Sequence, residues 1–281
     1  MRRILAVTVF AAAALPLFAV TQRPLIVTSQ NHALVWSDDC DHFQTRTITS
    51  FPAQAQAQEQ RAVALEGVET LRVRASQDGG VTVKGWDRPI ARLTVCKYAV
   101  ALTQPDAQKT LRDVAVFYRN GEIATSGPET DTSRAWWVHM ILRVPKSAAL
   151  DVTSGNGGIA IRNMNGRVNA HATNGGISLA SCNGDSIVRT ENGGISVEHV
   201  SGRLDAMTLN GRIAFRVEAG DLTPAIEART DDEGEIVCRV KGCDEALASK
   251  SASGKVLRIG GAIPRIRLST AKAPILIENV R

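Results

Sequence analysis

The sequence predicts an all-β protein, and within that class a β-solenoid, a single-stranded helix of short strands with about 18 residues in each coil. Three observations lead to this prediction: a strict glycine period, an alternation of apolar residues, and a recurring Asn–Gly pair. A glycine recurs every nine residues, a regularity that composition alone does not produce. The eight glycines are Gly157, Gly166, Gly175, Gly184, Gly193, Gly202, Gly211 and Gly220. Between them apolar residues occupy every second position, as Ile177 and Leu179 do, and period two is typical of strands.

The Asn–Gly pairs recur every 18 residues, twice the glycine period, which indicates a coil with two short sides. We predict these as the structural turn positions: Asn156, Gly157, Asn174, Gly175, Asn192, Gly193, Asn210 and Gly211. Asn–Gly is expected to supply positive φ angles at a tight corner, with the amide side chains hydrogen-bonded up the stack. An antiparallel meander with nine-residue hairpins also fits such turns. The 18-residue superperiod favours the solenoid, because a meander does not need a two-part repeat.

The composition restricts the class of protein further. The chain has 281 residues, and its hydrophobic fraction of 44% excludes a disordered chain. The charged fraction of 22% and the mean hydropathy of -0.06 exclude a multi-pass membrane protein. The net charge of +5 is spread along the sequence, so no nucleic-acid partner is expected. Of the 12 aromatic rings, 11 precede Leu150. A binding site that is more than a flat β face is therefore expected in the N-terminal part.

Residues 1–22 are predicted to be a signal peptide or an uncleaved signal anchor. Arg2 and Arg3 precede an apolar run from Ile4 to Val20, which is the order of a secretory signal. The run reaches the short limit of a membrane span, so an anchor remains an alternative, and any membrane contact is expected through this segment alone. Either form places the rest of the chain in the periplasm, the cell envelope or the extracellular space. Residues 23–61 are predicted to be a flexible tether, because residues 53–60 (AQAQAQEQ) are of low complexity.

Export permits disulfides among the five cysteines. Cys238 with Cys243 would close a short loop, and Cys40 with Cys96 would fasten the tether to the domain. The odd number leaves at least one thiol free. Cys182 occupies an apolar slot of the repeat and is expected to be buried.

Residues 62–149 are predicted to form irregular coils that cap the same solenoid and carry one short helix. The segment Asp78–Val83 (DGGVTV) has the form of the later repeat NGGIAI. Thr103 and Asp106 make a capping box at the start of the helix. Residues 150–281 form the regular repeats. Ile236, Val256 and Ile275 follow the last regular coil at wider intervals, so we expect successive coils to continue in chain order to the C-terminus.

No residue pattern points to catalysis, a cofactor or a metal. A nonapeptide repeat that binds Ca²⁺ needs an aspartate in each coil, and the aspartates here fall in different registers. His171 and His199 lack a second ligand at metal-like spacing, and residues 39–42 are interpreted as a polar linker. Arg167, Arg203 and Arg212 follow repeat glycines, and solvated corners are favoured for them over a basic ligand-binding edge.

Four segments resemble a known family: SGNGGIAI at residues 154–161, TNGGISL at 173–179, ENGGISV at 191–197 and GGVTVKGWD at 79–87. They are similar to the bacterial putative-adhesin family of β-strand-repeat proteins, a family of unknown function. The resemblance covers about residues 62–281. It implies an exported or envelope protein with a β-solenoid fold, and it carries no functional residues, because the shared motif is one of turns.

The sequence therefore favours a non-enzymatic, exported or cell-envelope β-solenoid that acts as an adhesin or interaction scaffold, with a cell-surface, glycan or protein partner. A membrane-anchored envelope-sensing protein is the alternative. A polysaccharide-active β-helix enzyme is less favoured, since it needs carboxylates converging on one strip, and the outward slots are small and mixed.

Overall fold

The computed structural model describes residues 39–40, 51–218, 225–231, 234–241, 243, 247–251, 254–260 and 263–280. The predicted signal segment, most of the predicted tether and Gly220 lie outside this part of the chain. The described residues form two large mixed sheets and one helix, so the predicted all-β class and the short helix are confirmed. The strands, in chain order, are β1 (Ala53–Val63), β2 (Thr70–Arg74), β3 (Val81–Trp86), β4 (Ala91–Ala101), β5 (Ala115–Arg119), β6 (Glu122–Ser126), β7 (Arg134–Pro145), β8 (Ala149–Ser154), β9 (Ile159–Arg162), β10 (Val168–Ala172), β11 (Ile177–Cys182), β12 (Ser186–Thr190), β13 (Ile195–Val200), β14 (Leu204–Thr208), β15 (Ile213–Val217), β16 (Ile226–Thr230), β17 (Ile236–Arg239), β18 (Leu247–Ser251), β19 (Gly254–Ile259), β20 (Ile266–Thr270) and β21 (Ile275–Asn279).

From β7 to β17, successive strands alternate between the two sheets. Sheet A has the order β1-β4-β7-β3-β9-β11-β13-β15-β21-β17, and sheet B has the order β18-β19-β16-β20-β14-β12-β10-β8-β2-β6-β5. The inner faces of both sheets share one core of aliphatic side chains, with Phe215 the largest fully buried side chain. The period-two pattern produces this arrangement, because alternate residues of a strand point to opposite faces.

The repeat strands pair in parallel with a step of 18 residues. In sheet A, Ile177 pairs with Ile159 on one side and Ile195 on the other. In sheet B, Val168 pairs with Leu150 and Ser186 at the same step. A meander would pair strands nine residues apart and antiparallel, so that alternative is wrong for the repeat region.

The corners of the repeat differ from the prediction. Positive φ angles occur every 18 residues, at Asn163, Ser181 and His199, on the half-turn opposite the Asn–Gly pairs. The four predicted Asn–Gly turns of the repeat have no positive φ, so the expectation that they supply left-handed corners is wrong; Asn120–Gly121, between β5 and β6, does have positive φ at both residues. Their glycines are required instead by close approach: a Cβ on Gly193 would lie 2.1 Å from the carbonyl oxygen of Gly175.

The predicted tether is wrong for residues 53–61. They belong to β1, which pairs antiparallel with β4 over its whole length, from Ala53 opposite Ala101 to Val63 opposite Ala91. The alternation of alanine and glutamine has the period of a strand, and the small alanines allow the backbone to join the sheet without a large apolar face.

Upstream of the repeats, β3 joins the parallel stack, with Val81 opposite Ile159. The helix α1 (Gln104–Asp113) begins at Thr103, whose hydroxyl accepts a hydrogen bond from the backbone N–H of Asp106 at 3.3 Å. No helix among the residues with described structure is long and apolar enough to cross a membrane.

The expected chain order of the C-terminal coils is wrong. Strand β21 lies between β15 and β17, with Ile275 paired to Ile213 on one side and Ile236 on the other. Likewise β20 lies between β14 and β16. Val256 lies in β19, which pairs antiparallel with β16. The C-terminal strands β20 and β21 thus lie inside the stack, between strands that precede them in the chain, because their apolar pattern matches that of the strands on either side.

Candidate functional site

A row of four cations crosses the outer face of sheet A. Cα pairing aligns Arg92 of β4 with Arg143 of β7, Arg143 with Lys84 of β3, and Lys84 with Arg162 of β9. We call these four residues the cationic row. Because adjacent strands lie about 4.8 Å apart, the row spans about 14 Å along the stack.

The same register continues across sheet A with a different charge pattern. Beyond Arg162 it passes through Ala180, Glu198, Arg216 and Glu278. Here Arg216 donates to Glu198 at 2.6 Å and to Glu278 at 2.9 Å, and the hydrogen bond with Glu278 is the main cause that raises the pKa of Arg216. Cation and carboxylate alternate in this half, whereas the cationic row places four cations on neighbouring strands.

Several cations on sheet B are partnered by carboxylates. Four arginines pair on the same or a neighbouring strand: Arg74 with Asp151 at 2.8 Å, Arg189 with Asp205 at 3.0 Å, and Arg258 and Arg229 with Glu227 at 2.7 and 2.8 Å. In the cationic row the same register position carries a cation on four neighbouring strands, and Lys84, Arg143 and Arg162 each take part in further interactions.

Trp86 stands at the end of β3 beside the row. The guanidinium carbons of Arg88, Arg92 and Arg143 lie 5.2, 5.8 and 6.0 Å from its ring centroid. The ring is fixed by its Nε1–H, which donates to the carbonyl oxygen of Ile90 at 2.8 Å. We call Trp86 and these three arginines the Trp86 cluster. The negative face of the indole attracts each cation and so holds three positive groups close together.

Arg88 and Arg92 are the exposed members of the cluster. Neither forms an ion pair with a carboxylate in the described part of the chain, and Ile90 beside them is 48% exposed. At the rim, Lys146 pairs with Asp87 at 2.9 Å.

On one side the row borders a covered surface. Cys40 is joined to Cys96 of β4 by a disulfide, with the two Cα atoms 5.5 Å apart, and Tyr98 donates its hydroxyl to the carbonyl oxygen of Cys40 at 3.1 Å. Tyr98 stacks on Trp137 with centroids 5.6 Å apart. The outward residues next to the row, Thr82, Thr94 and Ile141, are 3 to 5% exposed.

His139 lies in this covered area, with its Nε2 3.0 Å from the hydroxyl of Thr82. Burial lowers the pKa of His139 to about 3, since desolvation penalises the charged imidazolium. The imidazole is therefore neutral at ordinary pH and adds no charge to the row.

The predicted turn asparagines come together in a ladder. Each amide nitrogen donates to the side-chain oxygen one level away: Asn210 to Asn192, Asn192 to Asn174, Asn174 to Asn156 and Asn156 to Asp78, at 2.6 to 2.7 Å. Beside it, the hydroxyl of Thr208 donates to the carbonyl oxygen of Gly193 at 2.8 Å and accepts from the N–H of Gly211 at 3.1 Å. These bonds tie each turn to the next.

The remaining predicted residues lie apart from the Trp86 cluster. Cys238 and Cys243 form a second disulfide, and Cys182 is a buried free thiol whose pKa burial raises to about 11. Arg203 pairs with Asp185 at 2.6 Å, whereas Arg167 and Arg212 are exposed at corners. In the part of the chain with described structure, no three His, Cys, Asp or Glu side chains are grouped to hold a metal ion.

Sequence reasoning did not find the cationic row. Its members stand at positions 84, 92, 143 and 162, and only the pairing of four strands aligns them. Trp86 belongs to the GWD motif, and Arg88 and Arg92 follow it closely in the sequence, which is the local signal for the Trp86 cluster.

Neither a family model nor a curated protein sequence matches the chain. Among solved structures, the chain is similar to a putative cell adhesion protein from Clostridium sporogenes, with 9% identity and a TM-score of 0.45, over 80% of this chain and 100% of that one. It is also similar to a putative adhesin from Bacteroides fragilis, with 10% identity and a TM-score of 0.40, over 81% of this chain and 99% of that one. Both names agree with the family that the NGG repeats resemble. At identities of 9 and 10% and TM-scores of 0.45 and 0.40, these similarities carry no argument about function, which has to be argued from the chain's own residues.

Proposed function

We propose that the chain is a non-enzymatic, exported β-solenoid that acts as an adhesin-like binding scaffold of the cell envelope. The observation that carries this proposal is the Trp86 cluster, whose exposed Arg88 and Arg92 lie at the edge of a stack of paired strands. A rigid stack holds such a cluster in a fixed position, which favours binding.

The solenoid architecture is supported by the 18-residue step of the parallel pairs and by the asparagine ladder along one corner. In this proposal one coil contributes a strand to each sheet, residues 62–149 form the irregular N-terminal levels and residues 150–281 the regular ones. Residues 1–22 then act as the export signal or anchor, with a tether shortened to about residue 52.

Export is supported by the cysteines. The disulfides Cys40–Cys96 and Cys238–Cys243 would persist in an oxidising compartment and are rare in the cytosol. The apolar run after Arg2 and Arg3 supplies a route out of the cytoplasm.

The test combines location with surface binding. The chain with a C-terminal tag is expressed, cells are fractionated, and the N-terminus of the recovered protein is sequenced. We expect the protein outside the cytoplasm with both disulfides formed, and beads coated with it to adhere to envelope material. Recovery as a reduced cytoplasmic protein would refute the proposal, as would beads that adhere no better than beads coated with albumin.

A further inference from the structure

We infer that the Cys238–Cys243 disulfide is a thiol–disulfide exchange site, at which an external cysteine thiol becomes covalently attached to the chain. This inference goes beyond the proposed function, because it adds a covalent site to the scaffold and does not depend on the Trp86 cluster. The external thiol belongs either to a small molecule such as glutathione or to a cysteine of another protein, since both present the same sulfur chemistry.

The disulfide lies at the open end of sheet A. Strand β17, which carries Cys238, is the last strand of this sheet in the described part of the chain and pairs with β21 alone. Cα pairing places Cys238 opposite Ile277, which pairs with Phe215, so Cys238 ends an apolar column of the core. Cys238 and Cys243 are half-buried against this end of the core. A thiol can therefore approach the disulfide from the end of the stack.

The other disulfide is shielded and serves as a comparison within the same molecule. Cys96 is fully buried in β4, which has β1 on one side and β7 on the other. Cys40 is 8% exposed, and its carbonyl oxygen accepts a hydrogen bond from the hydroxyl of Tyr98. Exchange requires a thiolate to reach a sulfur atom, so this pair should exchange slowly.

A backbone hydrogen bond favours departure of one particular sulfur. The N–H of Val240 donates to the Sγ of Cys243 at 3.2 Å. A hydrogen bond to sulfur is stronger when the sulfur is a thiolate, so this contact makes Cys243 the better leaving group. Charged residues of both signs flank Cys243 in the sequence, Lys241 before it and Asp244 after it. The N–H of Val240 is thus the specific group that favours the thiolate.

Both cysteines are held by backbone contacts that do not involve their sulfur atoms. Cys238 belongs to β17 and is aligned with β21, and the N–H of Cys243 donates to the carbonyl oxygen of Val240 at 3.2 Å, which closes a turn. Only five residues separate the two cysteines. After the disulfide opens, Cys243 therefore stays close enough to attack a mixed disulfide on Cys238 and release the external thiol, which makes the attachment reversible.

The exchange step is balanced without an added oxidant. The external thiolate attacks the Sγ of Cys238, and a new S–S bond forms as the bond between Cys238 and Cys243 breaks. The electron pair of the broken bond leaves on the Sγ of Cys243, which then takes a proton from water. The external sulfur is oxidised to the disulfide level, and Cys243 is reduced to a thiol.

The experiment exposes the purified, oxidised chain to reduced glutathione at mildly alkaline pH. Samples are quenched with N-ethylmaleimide at intervals, and peptides are identified by mass spectrometry without reduction. We expect Cys238–Cys243 to open at least about tenfold faster than Cys40–Cys96, with glutathione on Cys238 and N-ethylmaleimide on Cys243. Cys182 should stay unlabelled, because burial raises the pKa of its thiol to about 11.

Two variants separate the proposed site from the other cysteines. Cys238→Ser/Cys243→Ser removes both sulfur atoms of the site and should lose the glutathione adduct. The matched control is Cys40→Ser/Cys96→Ser, which removes the shielded pair and should keep the adduct on Cys238. Circular dichroism establishes that each variant folds, and the comparison of the two disulfides within the wild type stands even where a variant does not.

A second arm distinguishes the two sources of the thiol. Beads coated with the chain are mixed with reduced envelope proteins, and the adducts are separated on gels with and without reducing agent. Reducible adducts of higher mass that need Cys238 identify a protein thiol as the partner. Glutathione uptake at Cys238 without such adducts identifies a small thiol.

Three results would overturn the inference: Cys238–Cys243 opens no faster than Cys40–Cys96, the glutathione adduct forms on Cys243 alone, or the adduct persists in Cys238→Ser/Cys243→Ser. Failure of the proposed function is a separate outcome, because the glutathione experiment uses purified protein and involves neither location nor adhesion. A chain that exchanges thiols but does not adhere to envelope material would keep the covalent site and lose the scaffold role.

Discussion

The 18-residue stacking of the repeat predicts a large difference between two neighbouring glycines. A Cβ on Gly193 would lie 2.1 Å from the carbonyl oxygen of Gly175, one level away, whereas a Cβ on Gly194 would lie 3.2 Å from the nearest atom, the carbonyl oxygen of Arg212. Neither glycine has a positive φ, so alanine meets no left-handed strain at either position, and the two substitutions differ in the space available to the Cβ atom. For Gly193→Ala the two turns must separate by roughly 1 Å, and the neighbouring atoms are backbone held by inter-turn hydrogen bonds.

We expect Gly193→Ala to cost about 3 kcal/mol, at the upper end for overpacking, because no flexible side chain can yield. Gly194→Ala should change the free energy of unfolding by less than about 1 kcal/mol, since reduced freedom of the unfolded chain offsets a tight contact. Denaturation in guanidinium chloride, followed by circular dichroism, measures both. Equal midpoints for the two variants would refute the stacked arrangement of the NGG turns.

Three further predictions concern stability. Thr208→Val should cost about 1 to 3 kcal/mol in the same denaturation assay, because it leaves a buried backbone N–H without its acceptor; an unchanged midpoint would contradict the hydroxyl column. Because His139 takes up a proton near pH 6.5 when unfolded but only near pH 3 when folded, stability should fall by about 2 kcal/mol from pH 7.5 to 5.0, and His139→Gln should remove that loss. A variant that keeps the full loss would show that other groups cause it. Replacing Cys40 and Cys96 by serine should lower the free energy of unfolding by about 4 kcal/mol, because this disulfide closes a loop of 56 residues. Opening the Cys238–Cys243 disulfide should lower it by about 2 kcal/mol, because its loop has 5 residues. The reverse order in reducing-agent titrations would contradict this prediction.

The repeat could be predicted because its information is local. Alternation around Ile177 and Leu179 specifies strands, and the glycine period specifies where they end. The conformation of the corners could not be read in the same way. Asn–Gly is associated with positive φ, yet here its glycines serve backbone contact, and Asn163, Ser181 and His199 take the left-handed conformation. A repeated glycine can be required by a positive φ or by close contact with the backbone of the next level. Only the distance between its Cβ position and that backbone distinguishes the two explanations.

The order of the levels could not be predicted because the apolar columns are interchangeable. Ile213 accepts Ile275 as a neighbour as readily as it would accept Ile236, since each presents the same side chain in the same register. The choice depends on where the long connections run. The predicted tether is wrong at residues 53–61 for a related reason: the alternation of Ala and Gln is a strand period with little apolar area, and its pairing with β4 is a long-range contact.

The cationic row depends on both halves of the chain. Arg92 and Arg143 belong to the antiparallel N-terminal strands, Arg162 belongs to the first regular repeat, and β3 carries Lys84 between them. Strand β3 is parallel to both of its neighbours, so it joins the irregular part to the stack and also supplies Trp86 at the join. A fragment containing the repeats alone would keep one cation of the four. The repeats therefore contribute one cation of the row, and the irregular N-terminal strands contribute the other three and Trp86.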